Sequence, residues 1–514
     1  MKKIFSLLIA IVFLFSNCHK MLDTVPTDFL SPVNYYKTAD HIKKALTGVY
    51  DPLGTVDMYG FRLCGQLAYS NDEGIRSAAS ELTGPAVYNH SISDPYINNL
   101  WTACYTGIDR ANDLLANIHH ADMDETLRAQ YRGEALFLRA YYYYLLALHW
   151  GDVPLKLTPT IDVQSVDLER SPLRKVYEQI IADMTEAKDE VATISSLGFN
   201  GRISKTAVMG MLARVSLSMA GYPVRETSKY AAARDWADSV ILSGEHALNP
   251  DYKQIFINHA QDIYDIKENL WEIEFFGNGL DAYNETSWIG VWFGIASNDL
   301  ENPGYCYGAL YATNKLFNLY EETDQRRDWN ISTYKYSGTN KVPYNPTDLY
   351  NRFPGKWRRE YELITPKQKN GGPINFPILR YSDILLMRAE AENEMNGPAD
   401  AVAYLNQVRE RAGATLFTEA NNNAITNQQQ FREVIRDERA RELCFESLRN
   451  HDLKRWGIFV STMKNLANTI SLTYPTNLRY LALSGNNVSE RHLLFPIPSR
   501  EMALNKAMTQ NPGW

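Results

Sequence analysis

The sequence predicts a mainly α protein in which tetratricopeptide-like helix pairs form a scaffold, with a loop-rich insert carrying a few short strands. Three observations carry that reading. Apolar residues recur at three-or-four spacing along a series of segments, the mark of amphipathic helices. The segments come as adjacent pairs, neither of which can bury its stripe alone. Between about Gly244 and Pro377 the pattern gives way to frequent Gly, Pro, Asn and Tyr, and the one strand-like run is NLWEIEFFG at 269–277.

The first segment, MKKIFSLLIAIVFLFSNC, has Lys2 and Lys3, then an apolar run from Ile4 to Phe15, then small and polar residues before Cys18. This is the layout of a signal peptide over residues 1–17, and the run is too short to span a bilayer comfortably. Cys18 stands where a bacterial lipobox places its lipidated thiol, although Asn17 departs from the small residue usual just before it. Cys18 is therefore expected to carry lipid and to open the mature chain, 18–514. Ordinary secretion with an incidental Cys18 is the alternative. Acyl chains contribute roughly 0.8 kcal/mol per buried methylene, so more than one chain gives a stable anchor.

A polar tether broken by Pro26 and Pro32 follows, then a first helix from about Thr38 to Tyr50. Trp101, Tyr105, Ile108, Leu115 and Ile118 mark a helix over 101–117. Its partner spans 125–149, with Leu127, Tyr131, Ala135, Leu138, Tyr142 and Leu145 in one stripe and Gly151 and Pro154 as its stop. The pattern returns from Pro172 to about Ile194, in a helix carrying Val208, Leu212, Val215 and Met219, and from Lys229 to Leu242. These make an N-terminal helical block, 101–243. After the insert, 244–377, a C-terminal block, 380–514, begins with a helix from Tyr381 to Met395. An NGP turn and a partner from Ala399 to Ala412 follow, with Leu405 and Val408 facing Ile384 and Leu385. A third helix, about Gln428 to Phe445, places Phe431, Val434, Glu438, Arg441 and Phe445 on one face. Its charges are expected to pair with each other or with Arg449, Asp452 and Arg455 in a partly buried ion network.

With 514 residues, 45% hydrophobic and 22% charged, the chain can bury a large core. Its net charge of −8 disfavours a grip on nucleic acid or anionic lipid. The 32 Tyr and 10 Trp suit amphipathic ligands such as sugars, although large helical cores also consume tyrosine. Cys64, Cys104, Cys306 and Cys444 lack metal-site spacing. Cys64 with Cys104 is compatible with a disulfide, and so are buried free thiols. No GxSxG, HExxH or phosphate-cradling glycine loop occurs. His119 and His120 are adjacent and so diverge, and Asp72 with Glu73 reads as a solvated loop. No catalytic residue, metal or cofactor is assigned, and no EF-hand-type loop for calcium is visible. The expectation is a binding protein rather than an enzyme.

Loops on a rigid scaffold are where binding residues concentrate. Sugar recognition needs aromatic faces beside amides, carboxylates or Arg. The insert offers both in Tyr283, Asn284, Trp288, Trp292, Asn298, Asp299, Tyr305 and Tyr307. Trp288 and Trp292, four apart, are also readable as an ordinary packing pair on a helix.

Several stretches together resemble one family: WTACYTGIDRAN at 101–112, GEALFLRAYYYYLLALHWGDVPL at 133–155, GRISKTAVMGMLARVSL at 201–217, RYSDILLMRAEA at 380–391, YLNQVRERAG at 404–413, IRDERARELCFES at 435–447, RNHDLKRWG at 449–457 and the ending LLFPIPSREMALNKAMTQNPGW. In this order, over nearly the whole mature chain, they are similar to the SusD/RagB family, outer-membrane nutrient-binding lipoproteins of Bacteroidetes-type bacteria. The resemblance implies a helical body docked as a lid over a SusC-like TonB-dependent transporter, in a paired assembly at the cell surface. It implies a glycan ligand held without cleavage and delivered to that transporter, or a peptide as in the RagB branch. A secreted helical glycoside hydrolase and a protein-interaction scaffold are the readings from other classes. Family members also build their site from the loop before the first long helix, here 71–99, which adds Asp72, Arg76, Tyr88, Asn89 and His90 as candidates.

Overall fold

The computed structural model describes residues 35–67, 70–160, 167–280 and 285–514. The signal segment, Cys18, the tether, Tyr283 and Asn284 lie outside the described residues. The fold is mainly helical, 53% helix against 9% strand, as the periodicity predicts.

Each long helix of the first half starts where a side chain can take up its free amides. Helix α1, Ala39–Gly54, starts behind Thr38, whose hydroxyl accepts from the His41 amide. Helix α2, Pro95–Asn117, starts behind Asp94, which accepts from the Tyr96 and Ile97 amides, with Pro95 where no amide donor is needed. That cap places the start six residues before the expected Trp101. Helix α3, Glu125–Trp150, is capped by Asp124 and stops at Gly151, whose φ of 73° ends the helix without steric penalty. Then come α4, Leu173–Glu190, α5, Lys205–Ala220, behind Ser204, and α6, Lys229–Leu242.

The segment that follows contains α7, Tyr252–Gln261, and the five-residue α8, Ile289–Phe293. It carries a few short strands, as expected, although the sequence marks only the run at 269–277. Strands β1, Gly74–Arg76, and β3, Leu310–Ala312, pair antiparallel; so do β2, Asn269–Ile273, with β6, Phe376–Arg380, and β4, Tyr334–Ser337, with β5, Asn340–Pro343. Every residue of β2 and β6 is buried, so neither shows the alternation that would advertise a half-exposed strand. The chain then forms α9, Tyr381–Asn396, α10, Pro398–Arg411, α11, Gln428–Leu443, α12, Arg449–Arg455, and α13, Phe459–Thr473.

Consecutive helices pack in order from α1 to α6, and α6 packs directly on α9, which carries α10 and α11. The two helical blocks of the sequence are thus one continuous array. Leu405 and Val408 of α10 lie with Ile384 and Leu385 of α9 in its fully buried core, as expected. Helix α3 is its central member, because four consecutive tyrosines on it face four directions and are all buried. Each hydroxyl finds a partner: Tyr141 with the Tyr59 hydroxyl, Tyr142 with the Val49 carbonyl at 2.6 Å, Tyr143 with the Lys156 carbonyl at 2.8 Å and Tyr144 with the Ser218 hydroxyl at 2.9 Å. A satisfied hydroxyl lets the ring contribute its apolar burial, roughly 1.5–3 kcal/mol for a large side chain. Much of the tyrosine excess is therefore core.

The ion network around α11 is deeper than expected and has other partners. Glu438 meets Arg326 at 2.7 Å, Arg409 at 2.8 Å and Arg441 at 2.9 Å. Glu442 meets Arg326 and Arg380 at 3.0 Å each and Arg411 at 2.6 Å, and Glu446 meets Lys356 at 2.7 Å and Arg380 at 2.9 Å. The Glu438–Arg441 and Asp452–Arg455 pairs are among those expected, Asp452 also takes Arg439, and Arg449 turns away to Asp72 at 2.8 Å. Phe445 is not on the helix face, since the chain leaves α11 after Leu443 and Phe445 has φ +63°. Arg326, Lys356 and Arg380 come from the segment between α6 and α9, so these pairs bind it to the helices.

Burial alone would raise the Asp383 and Glu438 carboxyls, but the guanidiniums around them outweigh it and hold both at about 2. These are depressed values, so their stabilisation is fully present above about pH 4.5 and is lost as pH falls toward 2. Urea unfolding at pH 7 and pH 3 should differ by about 3 kcal/mol from these two groups alone. Because carboxyls raised by burial, such as Glu73, titrate with the opposite sign, the check is the difference between the unaltered protein and an Asp383→Asn, Glu438→Gln variant: a variant with the same change between pH 7 and pH 3 would contradict the network.

Candidate functional site

Helix α8 is too short to hold itself, and its surroundings fix it. The Trp288 amide donates to the Gly60 carbonyl at 2.8 Å, and Ser287 pairs with Gly372 across an isolated bridge. The next segment runs back along it: the Tyr307 amide donates to the Val291 carbonyl at 2.8 Å and the Ala309 amide to that of Trp292 at 2.9 Å. Pairing of β1 with β3, extended by Ser77 donating to the Ala309 carbonyl at 3.0 Å, brings the loop before α2 onto the same place.

These constraints gather an aromatic group. Phe61 stacks on Trp288 at 5.5 Å and meets Trp292 edge-on at 4.9 Å; Trp292 lies 5.0 Å from Tyr307, and Tyr305 meets Tyr307 edge-on at 4.9 Å. The Arg76 guanidinium sits 4.9 Å over Trp292, held by Glu81 and by the Ala309 carbonyl at 3.2 Å. The Lys369 ammonium lies 4.7 Å from the Tyr305 ring and 5.9 Å from Tyr307. Tyr307 is 41% exposed, while Trp288, Trp292 and Tyr305 are half-buried. Trp292, hemmed by Phe61, Arg76 and Tyr307, supports the group; Tyr305 and Tyr307 offer rings to solvent. Such a surface can take the apolar face of a sugar ring while the cations and nearby amides reach its hydroxyls.

Of the expected residues, the structure brings together Trp288, Trp292, Tyr305, Tyr307 and Arg76. Asn298 is exposed on the adjoining turn, where the Asp299 carboxylate accepts from the Glu301 amide at 2.8 Å and the Asn302 amide at 2.6 Å and so shapes the loop. Asp72 and Glu73 do not form a solvated loop; both are buried. Asp72 takes two guanidinium nitrogens of Arg449 at 2.8 Å and the Lys315 ammonium at 2.6 Å. Those charges outweigh its burial and hold its carboxyl well below the usual range, whereas burial pushes Glu73 up to about 8. Tyr88 is buried, donating to the Ser70 carbonyl at 2.5 Å and accepting from Asn450 at 3.2 Å. Asn89 is exposed and donates to the Leu82 carbonyl at 2.8 Å. His90 lies 4.8 Å from Trp514, in another part of the molecule. Tyr283 and Asn284 lie outside the described residues. Phe61 and Lys369 belong to the group and were not foreseen, because only tertiary contacts place them there.

Cys64, Cys104, Cys306 and Cys444 are free and buried, so Cys64 and Cys104 are not bonded. Among the described residues no group of three or more His, Cys, Asp or Glu is placed to hold a metal ion, and no helix is long and apolar enough to cross a membrane.

Two family models match the chain, one described as SusD family over residues 328–514 and one described as starch-binding, associating with the outer membrane, over residues 21–217. SusD-like protein P25 of Formosa agariphila is 26% identical over 99% of this chain and 98% of its own length. Starch-binding protein SusD of Bacteroides thetaiotaomicron is 24% identical over 76% of this chain and 73% of its own. The crystal structure of a SusD homolog from Bacteroides thetaiotaomicron superposes with a TM-score of 0.87 at 28% identity, covering 94% of this chain and 98% of that one.

Proposed function

The chain belongs to the SusD family, and from that premise we propose that it captures a glycan at the outer membrane and hands it to a SusC-like TonB-dependent transporter, anchored by lipid at Cys18. The observation that carries the ligand assignment is the solvent-facing Tyr305 and Tyr307 pair, backed by Trp292 and flanked by Lys369 and Arg76. Two faces set edge to face present a curved apolar surface with polar groups at its margin, which suits successive rings of an oligosaccharide. Binding without chemistry fits the group's surroundings, since Glu81, Asp299 and Glu362 beside it are engaged with Arg76, with loop amides and with Arg359. The anchor rests on the sequence around Cys18, and the transporter on family membership.

Affinity electrophoresis of the purified protein against plant, host and microbial polysaccharides, with a peptide mixture in parallel, tests the ligand class. Retardation by one glycan whose chain length is unchanged is the expected result. Peptide capture with no glycan retention would replace the glycan with a peptide, and shortening of the polymer would make the protein a hydrolase.

A further inference from the structure

A second concavity lies away from the aromatic group and shares none of its residues. It is a cavity of about 420 Å³ between the end of α3, the start of α4, α12 and the closing segment around 490–513. This volume is within the roughly 300–1,000 Å³ of sites that take small molecules. Leu148, Leu173, Tyr177, Pro223, Leu493 and Leu494 give the cavity an apolar wall, and Lys454 and His451 also line it.

Lys454 is the unusual member. Its ammonium makes no ion pair or hydrogen bond among the described residues and lies 5.5 Å from the Phe459 ring and 5.9 Å from the Phe495 ring. Burial pushes it down to about 8 with no carboxylate to raise it again. The neighbouring Arg455 is already engaged with Glu390 and Asp452. Burial, with the Lys454 charge adding to it, also lowers His149, His451, His492 and His90. The Nδ1 of His451 has no hydrogen-bond partner among the described residues. The region thus sets a half-buried cation without an ion-pair partner among the described residues beside imidazoles that stay neutral, facing an apolar slot. An isolated charge in such surroundings is costly unless an anion pairs with it.

We propose that this cavity binds an amphipathic small-molecule anion, a straight apolar chain lying along the leucine wall with its carboxylate on the Lys454 ammonium. The wall supplies non-directional burial, and the unpaired Lys454 ammonium fixes orientation through a charge-assisted hydrogen bond. Exposed Arg491 and Glu490 stand at the rim and leave the slot open for entry.

Titration calorimetry of the purified protein with decanoate tests this, with decanol as the neutral partner of equal chain length. Decanoate should bind one to one and at least tenfold more tightly than decanol. Lys454→Met should bring decanoate to the decanol level, and Leu173→Trp, which fills the wall, should abolish both. Equal affinity for the acid and the alcohol, or heat that never saturates, would overturn the proposal. That comparison needs only the unaltered protein, so it decides the matter even if a variant fails to fold.

Discussion

Glu442→Ala is expected to lower the unfolding free energy by about 3–5 kcal/mol, read from the urea midpoint at constant slope. Glu442 is fully buried and holds Arg326, Arg380 and Arg411 within 3.0 Å, 3.0 Å and 2.6 Å. Removing the carboxylate leaves three guanidiniums in a dry site with one counter-charge fewer, and the penalty comes from those stranded donors rather than from the lost volume. Glu442→Gln keeps the shape and one acceptor and should recover part of the loss. A loss below about 1 kcal/mol would mean that Glu438, Glu446 and Glu268, which already meets Arg380 at 2.8 Å, re-pair the guanidiniums and make the network redundant.

The second large effect concerns binding. Tyr305→Ala combined with Tyr307→Ala should weaken the retained glycan by about 100-fold or more, since each ring is placed to act as a hot spot of about 2 kcal/mol. Stability should change by less than about 1 kcal/mol, because Tyr307 is 41% exposed and neither ring belongs to the main core. Retardation in affinity gels, beside a thermal melt of the same variant, separates the two effects. Unchanged retardation with an unchanged melt would move the ligand elsewhere on the surface.

The helices were legible because their signals are local. An apolar stripe and a capping residue lie within a few positions of each other, and 229–242 was read to its ends. What failed needed distant partners. Asp72 reads as loop until Arg449 appears beside it, 377 positions along the chain. Tyr88 is core because Asn450 and Ser70 satisfy its hydroxyl. Strand β6, buried on both faces, is five residues without alternation directly before a helix, and nothing local separates the two. At the proposed site, residue types pointed to the segment where the aromatic group gathers, yet only tertiary contacts distinguish Tyr307, which faces solvent, from Trp292, which is braced by Phe61 and Arg76.

The pairing of β2 with β6 has a consequence for how the protein tolerates change. Asn269 sits opposite Arg380, and α6 rests on α9, so the chain leaves the helical array and rejoins it at neighbouring points. The ladder works as a clasp on a long excursion. Once a loop's ends are held together, doubling its length costs only about 0.6 kcal/mol in closure entropy. Insertions and deletions in loops between the clasped strands that spare Arg326 and Lys356 therefore disturb the array little, so the proposed recognition surface can vary while the scaffold stays fixed.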